Sequence, residues 1–502
     1  MRKSYLDNIR WVTVVLVVIY HVLYMYNGEG ILGTLGKITN LDVQYYDIYQ
    51  YIVYPWFMVL LFIVSGISAR YALDKMTGRE FIKARTDKLL VPCTAGIFVF
   101  QFIQGYISAS FGEMDSLEVP GIIKYFIYCL SGTGVLWYIQ MLWLFSLAIV
   151  LIKKIDKDRL WNVCRKTPLW ILILLGAAVY GAGQIFNTPI IVVYRFGLYF
   201  FTFLTGYFIF SHDEVIEKMK KYFWLFLTAA AGLCIAFCII YFPQNYADNP
   251  VNRTPLFLLY SWFGSLAVIA VFARFFDFTN KFTAWMGKRS FGLYIFHYLG
   301  ISAVALFIAK PGYLSAPLCY LLSAVMGFAF GYGLNFVISK IPFFRWAVLG
   351  IKKRGIRRKK MFKDNLQQLR KINDMSQEEL ADLIGVSRQT LSKYETGESL
   401  PDIEKCKLIA DVFGVTIDDL LNYESGNSES LGLAVPPKGK HIFGLVKMGD
   451  KGQIVIPAKA RKIFDLNPGD NLLVLGDEGQ GIAIIKEKGL LDLLRNAHGH
   501  NP

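Results

Sequence analysis

Charge is scarce in this sequence, and scarce in a pattern. Only 18% of its 502 residues are Asp, Glu, Lys or Arg, against 54% hydrophobic residues and a mean hydropathy of +0.40. That is too apolar for an ordinary soluble chain, so part of it is expected in lipid. A cysteine framework is lacking too. The seven cysteines, Cys93, Cys129, Cys164, Cys234, Cys238, Cys319 and Cys406, show neither paired nor metal-like spacing. They read as buried thiols, and Cys234 and Cys238, four apart, as packing residues on one helix face; no metal is expected. No small-x-small cleavage motif follows the first apolar run, whose start is interrupted by Asp7 and Arg10, so that run reads as a retained helix. After about residue 340 there are no long apolar runs at all. Acids are absent from Lys340 to Lys363, where ten lysines and arginines set a block that cannot enter hydrocarbon.

What is present before residue 340 is a series of long apolar runs, near 9–26, 52–73, 90–108, 133–152, 168–186, 192–210, 222–241, 255–273, 291–309 and 315–338. The loop 74–88 carries Lys75, Arg79, Lys83, Arg85 and Lys88, and 153–166 carries six more cations. Loops 211–221 and 274–289 are also basic, while 27–46, 109–122, 242–254 and 310–314 are nearly free of Lys and Arg. The positive-inside rule then predicts a multi-pass protein of the bacterial inner membrane with about ten spans and both termini cytoplasmic.

Ionisable residues inside such spans are costly unless they are paired or face a cavity. His21 stands out. It follows Arg10 by eleven residues, which puts both on one helix stripe about 16 Å apart along the axis. Asp7 lies one turn before Arg10 and can pair with it. Anchoring at the headgroups would equally explain Asp7 and Arg10.

These residues carry a resemblance. Tyr5-Leu6-Asp7-Asn8-Ile9-Arg10, ten residues and then His21-Val22 resembles the first helix of the acyltransferase-3 family of bacterial membrane acyltransferases. Pro55-Trp56-Phe57 with Phe62 to Gly66, Phe81 to Pro92, Leu136 to Ile139 and Ser290 to His297 follow in the family's order, over about 4–340. Where the family usually shows an arginine pair, this chain has Arg85 and Lys88; lysine keeps the charge but loses the planar fork. The resemblance implies transfer of an acyl group, commonly acetyl, from acyl-CoA to a hydroxyl of a surface or exported glycan, without a permanently bound cofactor. His21 then suits a general base, Arg10 a group that positions the donor or stabilises negative charge, and Arg85 and Lys88 the coenzyme phosphates. Arg195 and His297 are secondary candidates, each also explicable by a structural role.

From Asp364 the pattern changes to short amphipathic helices. Asn365 to Arg370 reads as a first helix, and Ser376 and Glu379 form a capping box. Gly385-Val386-Ser387 turns into Arg388 to Glu395, and Asp402 to Phe413 and Thr416 to Leu421 complete five helices. The order, with Ser-Gln-Glu-Glu-Leu-Ala and Tyr-Glu-Thr-Gly, resembles the lambda-repressor/Cro-type helix-turn-helix. That resemblance implies DNA contact through Gln377 and Ser387 to Lys393: Arg388, Gln389 and Thr390 nearest the bases, Ser392 and Lys393 on phosphate. Leu380, Leu383, Ile384, Val386 and Leu391 are its expected core.

Beyond a polar linker, residues 444–457 alternate as strands around a turn, Ala458 to Phe464 reads as a helix, and 471–475 with 481–485 as a hairpin. This resembles the AbrB/SpoVT swapped-hairpin fold, dimeric in the family; so small a module lacks its own core. Lys447, Lys451, Arg461 and Lys462 are candidates for DNA phosphates, and dimerisation without DNA contact remains open. The expected organisation is multi-domain: an all-α membrane bundle over 1–340, a basic juxtamembrane linker over 341–363, a five-helix domain over 364–423, a flexible linker over 424–440, a small β-rich swapped-hairpin module over 441–488 and a tail over 489–502. The expected partners are membrane lipid, acyl-CoA, a glycan, DNA and a second copy of the chain. The rival reading is a membrane-tethered transcription regulator whose transmembrane part only senses a ligand.

Overall fold

The computed structural model describes residues 3–29, 34–111, 119–132, 134–188, 193–351, 354–423, 435–443, 446–449, 452–477, 479 and 481–486, with backbone alone at 354–360 and 459. Lys451, most of the expected linker 424–440 and the tail 489–502 lie outside these residues. The chain forms two units, Met1–Lys352 and Lys353–Pro502.

The first unit is helical. It comprises α1 (Ser4–Met25), α2 (Ile48–Leu73), α3 (Gly78–Arg85), α4 (Val91–Gly96), α5 (Phe102–Ala109), α6 (Gly121–Ser131), α7 (Trp137–Asp156), α8 (Arg159–Cys164), α9 (Leu169–Gln184), α10 (Phe196–Phe208), α11 (Asp213–Lys221), α12 (Phe223–Tyr241), α13 (Pro255–Phe275), α14 (Lys281–Val304), α15 (Ala316–Lys340) and α16 (Pro342–Ala347). Among the described residues eight spans are long and apolar enough to cross a membrane. The two others expected as spans, α9 and α10, have only 16 and 13 residues. They still run between the two ends of the bundle, since Gln184 at the end of α9 bonds the Arg253 carbonyl at 3.0 Å and α10 ends beside Ser211, which bonds Trp161.

The basic loops gather at one end. Lys3 pairs with Asp213 at 2.8 Å, Lys153 with Asp74 at 3.5 Å and Arg165 with Glu214 at 2.6 Å, while Arg274 bonds the Lys220 carbonyl. The cation-poor loops meet at the other end, where Asp47 accepts from the Gly28 amide and Lys310 bonds the Ser110 carbonyl.

Arg85 and Lys88 are not in a loop. Residues 78–109 form one continuous helical run in which Thr86–Leu90 and Ile97–Gln101 widen to π turns. Pro92 has no N–H to give the Lys88 carbonyl, and the wider turn absorbs that missing rung. The apolar helix α6, packed along α5, is not among the expected spans: at 11 residues it is shorter than a span and lies between those expected at 90–108 and 133–152.

Polar and small residues hold the interior. Helices α2 and α10 cross so closely that a Cβ on Gly66 would sit 2.0 Å from the Phe203 carbonyl oxygen, and one on Gly206 2.1 Å from that of Ile63. Small residues are what permit such approach where lipid gives helices no hydrophobic reason to associate.

The second unit begins with α17 (Arg354–Ile372), followed by α18 (Gln377–Leu383), α19 (Arg388–Thr396), α20 (Ile403–Val412) and α21 (Ile417–Asn422). Helix α17 takes in the second half of the stretch expected as linker. Ser376 accepts from the Glu379 amide at 3.1 Å and donates its own amide to Glu379, the reciprocal cap the spacing predicts. Phe362, Leu366, Leu369, Leu380, Ile384, Leu391 and Ile409 form the core. Leu383, expected there, is instead 55% exposed, because it falls on the last turn of a seven-residue helix whose inner face is taken by Leu380 and Ile384.

The module beyond has α22 (Ala458–Ile463) and an antiparallel pair, β1 (Leu472–Asp477) and β2 (Gly481–Lys486), in register from Leu472 opposite Lys486 to Asp477 opposite Gly481. The strands expected over 444–457 do not form among the described residues there, where the Gly449 amide bonds the Gln453 carbonyl at 2.8 Å around a turn. A single chain offers those residues no neighbouring strand. Val455, Val474 and Ile482 are correspondingly exposed.

Candidate active site and DNA-binding face

Helix α1 carries the polar stripe, and its two ends reach different neighbours. Arg10 pairs with Asp7 at 2.7 Å and donates its other terminal nitrogen to the Ser68 hydroxyl of α2. His21 turns to α14, where its Nδ1 lies 2.9 Å from Nε2 of His297. His21 faces protein, with the rings of Tyr20, Tyr24 and Tyr298 at 5.1, 5.9 and 5.0 Å. The His21 ring is half-buried.

The hydrogen bonds assign the tautomers of the neutral pair. His297 Nδ1 lies 3.0 and 2.9 Å from the carbonyl oxygens of Leu293 and Tyr294, which only accept, so Nδ1 carries the proton. His297 Nε2 is then an acceptor, and His21 Nδ1 must be the donor to it. The Val17 carbonyl can share that Nδ1 proton, and the lone pair of His21 is therefore left on Nε2. His297 thus fixes ring and tautomer in the way an orienting partner does for a catalytic base.

Arg85 and Lys88 lie within electrostatic range of Arg10, and Tyr138, whose hydroxyl is 2.8 Å from Ser65, lies near both arginines. Among the described residues Arg85 has no acid partner, and its guanidinium rests 4.9 Å above the Phe81 ring. On another side of Arg10 a cavity of about 820 Å³ opens among Lys3, Asp7, Arg10, Ser68, Trp161 and Arg165. In its wall His212 stacks on Trp161 at 4.1 Å and is held by the Trp161 carbonyl; burial keeps the imidazole below its ordinary pKa.

At the cation-poor end Glu29 accepts from the Tyr51 hydroxyl at 3.1 Å, and burial next to Asp47 pushes its carboxyl up to about 7. Asp47 receives Gln44, Gln50 and the Gly28 amide. Gln50 in turn bonds Tyr246, whose hydroxyl is 3.3 Å from that of Tyr20 beside His21. None of this network was singled out from sequence: with 29 tyrosines in the chain, no single one is conspicuous. Arg195 is 3% exposed, at the N-terminus of α10.

In the second unit Ser387 caps α19 and meets Thr390 at 2.8 Å, and Gly385 turns the chain in a left-handed conformation at φ +61°. Ser387, Arg388, Gln389 and Lys393 are exposed, Thr390 and Ser392 half-buried. Gln377 differs from its neighbours: its amide donates to Glu395 at 2.7 Å, and Glu395 is 2% exposed and bonded by Arg370 at 2.6 Å. Lys447, Arg461 and Lys462 are exposed.

A bundle that keeps an oriented histidine and several cations inside a membrane-crossing scaffold, joined to a capped helix-turn-helix, defines a multi-pass membrane protein with an internal polar site and a DNA-binding tail. Residues 3–339 match the family model described as an acyltransferase domain. The chain belongs to that family of acyltransferases. Residues 366–420 match the helix-turn-helix model, and 445–492 that of the MazE bacterial antitoxin, antidote-toxin recognition. The HTH-type transcriptional activator BcrR of Enterococcus faecalis is 46% identical over 63 residues, 12% of this chain and 31% of that protein. The HTH-type transcriptional regulator AnsR of Bacillus subtilis is 39% identical over 61 residues, 12% of this chain and 53% of AnsR. Antitoxin PezA of Streptococcus pneumoniae is 38% identical over 61 residues, 12% of this chain and 39% of PezA. The chain thus spans only part of each of these relatives. No solved structure matches it.

Proposed function

We propose that the membrane unit moves an acyl group, acetyl in the first instance, from cytoplasmic acyl-CoA to a hydroxyl of a cell-surface or exported glycan, and that the tail binds a specific DNA sequence from the cytoplasm. The observation that carries the reading is the free Nε2 lone pair of His21. Imidazole accepts the hydroxyl proton as the oxygen attacks the thioester carbonyl; the C–S bond then breaks, and the imidazolium returns the proton to the leaving thiolate. Arg10, about 16 Å nearer the basic end of α1 than His21 by helix rise, and Arg85 and Lys88, within electrostatic range of it, suit the coenzyme's phosphates. The basic loops gathered at one end support cytoplasmic termini.

In the tail, exposed Arg388 and Gln389 at the start of α19 suit base edges, with Thr390 beside them, and Ser387, Ser392 and Lys393 suit phosphate. Gln377, at the start of α18 and held by Glu395, is assigned to DNA contact as well. Lys447, Lys451, Arg461 and Lys462 are assigned to phosphate contact. The exposed apolar strands of the last module support a homodimer that would pair two half-sites. His21→Ala should abolish acyl transfer in membranes at unchanged abundance, with DNA binding intact. Full transfer by that variant would remove His21 from the mechanism, whereas no transfer by the natural chain would favour a sensor.

A further inference from the structure

The donor cations and the histidine pair leave one buried charge without a role. The Arg195 side chain makes no hydrogen bond or ion pair among the described residues, and its Nη2 is fully enclosed with no acceptor. Its one contact of note is with the Phe257 ring, 5.5 Å from the guanidinium carbon. The groups whose charge reaches it are Tyr199, Tyr54 and Arg253, no carboxylate among them. Arg70, the other deeply buried arginine, shows the contrast: it is 5% exposed but carries both Asp158 and Asp74. An uncompensated guanidinium in a low-dielectric interior is strongly destabilising, and one distant ring offsets little of that.

The position of Arg195 suggests what compensates it. Tyr54, within electrostatic range of Arg195, is half-buried. It stacks on Tyr20 at 5.7 Å, and Tyr20 lies against His21. Tyr54 and Tyr20 thus lie between the neighbourhood of Arg195 and the His21 ring, at the end of the bundle away from Arg10, Arg85 and Lys88. Donor phosphates have their own cations, so the anion missing here belongs to the other substrate.

We propose that Arg195 is an acceptor subsite: it binds a carboxylate or phosphate carried by the sugar whose hydroxyl is acylated. This rests on the acyltransferase reading, and it makes the acceptor an acidic glycan. A planar guanidinium takes either anion through two parallel bonds, and tyrosine rings flanking it suit the faces of a sugar.

The test uses the purified full chain and its Arg195→Met and Arg195→Lys variants. Thermal melts are run with glucuronate, glucose 6-phosphate or glucose, and acetyl transfer from acetyl-CoA is measured to the nitrophenyl glucuronide and glucoside. We expect glucuronate or glucose 6-phosphate to raise the melting temperature of the natural chain where glucose does not, the better of the two identifying the acid. Arg195→Met should lose that shift while its ligand-free melting temperature stays level or rises, since a buried unpaired charge has been removed. The glucuronide-to-glucoside ratio of kcat/KM should fall by about tenfold or more in Arg195→Met and less in Arg195→Lys. Equal shifts with all three sugars, or a ratio unmoved in Arg195→Met, would overturn the proposal, as would a lowered ligand-free melting temperature with binding intact. Absence of transfer to every sugar by the natural chain, with the anion-specific shifts present and lost in Arg195→Met, would count against the acyltransferase reading while upholding Arg195 as the anion site.

Discussion

The two units solve opposite problems with the same residues. In the membrane unit the polar groups are inside, with Gln50, Arg195 and His297 at 3% exposure or less, while Ile239, Leu321 and Val325 of α12 and α15 are 76, 62 and 54% exposed. In the helix-turn-helix the apolar residues are inside, and Arg388, Gln389 and Lys393 face out. Lipid replaces water as the medium that the outer face must satisfy, so the signal for function inverts: a buried polar group in one unit, an exposed one in the other.

That inversion can be broken by paired substitutions. Leu391→Ala, at a fully buried position of α19, should cost the helix-turn-helix about 3 kcal/mol in denaturant unfolding. Ile239→Ala, the same kind of truncation on the outer face of α12, should leave the thermal stability of the membrane unit nearly unchanged. A large loss there would place α12 against protein instead of lipid. Next in size, Gln389→Ala should weaken binding to a selected operator by about 1–3 kcal/mol and relax specificity, whereas Lys393→Ala should weaken all sequences alike and lower the salt slope by about one. Both are read by titration at two salt concentrations.

The smallest effect concerns Glu29. Its carboxyl, held up to about 7, binds a proton in the folded protein that the unfolded chain releases nearer its ordinary 4.5. The stability it lends is present below about 4.5 and is lost as pH rises through about 7, so the melting temperature should drift down across that window. Glu29→Gln should flatten the drift, and an unchanged slope would remove the group from the account.

What could be read from sequence follows the range of the interactions. Arg10 and His21 fall on one stripe because one helix sets both, and the Ser376 cap closes within a single turn. Their partners are remote: Ser68 lies 58 residues from Arg10 and His297 276 from His21, and no periodicity carries such pairings. The π turn at Thr86–Leu90 placed Arg85 and Lys88 in a span where charge density alone suggested a loop. Leu383 fits the helical pattern but falls where the helix ends. The strands expected over 444–457 need a neighbour that a single chain does not supply.

The central claim is that His21 and His297 act as one unit, and a double-substitution cycle on acyl transfer tests it most directly. His21→Ala should lose about a hundredfold or more, His297→Gln a large part of that, and the double variant no more than His21→Ala alone. Two losses that simply multiply, or a His297→Gln enzyme of full activity, would contradict it.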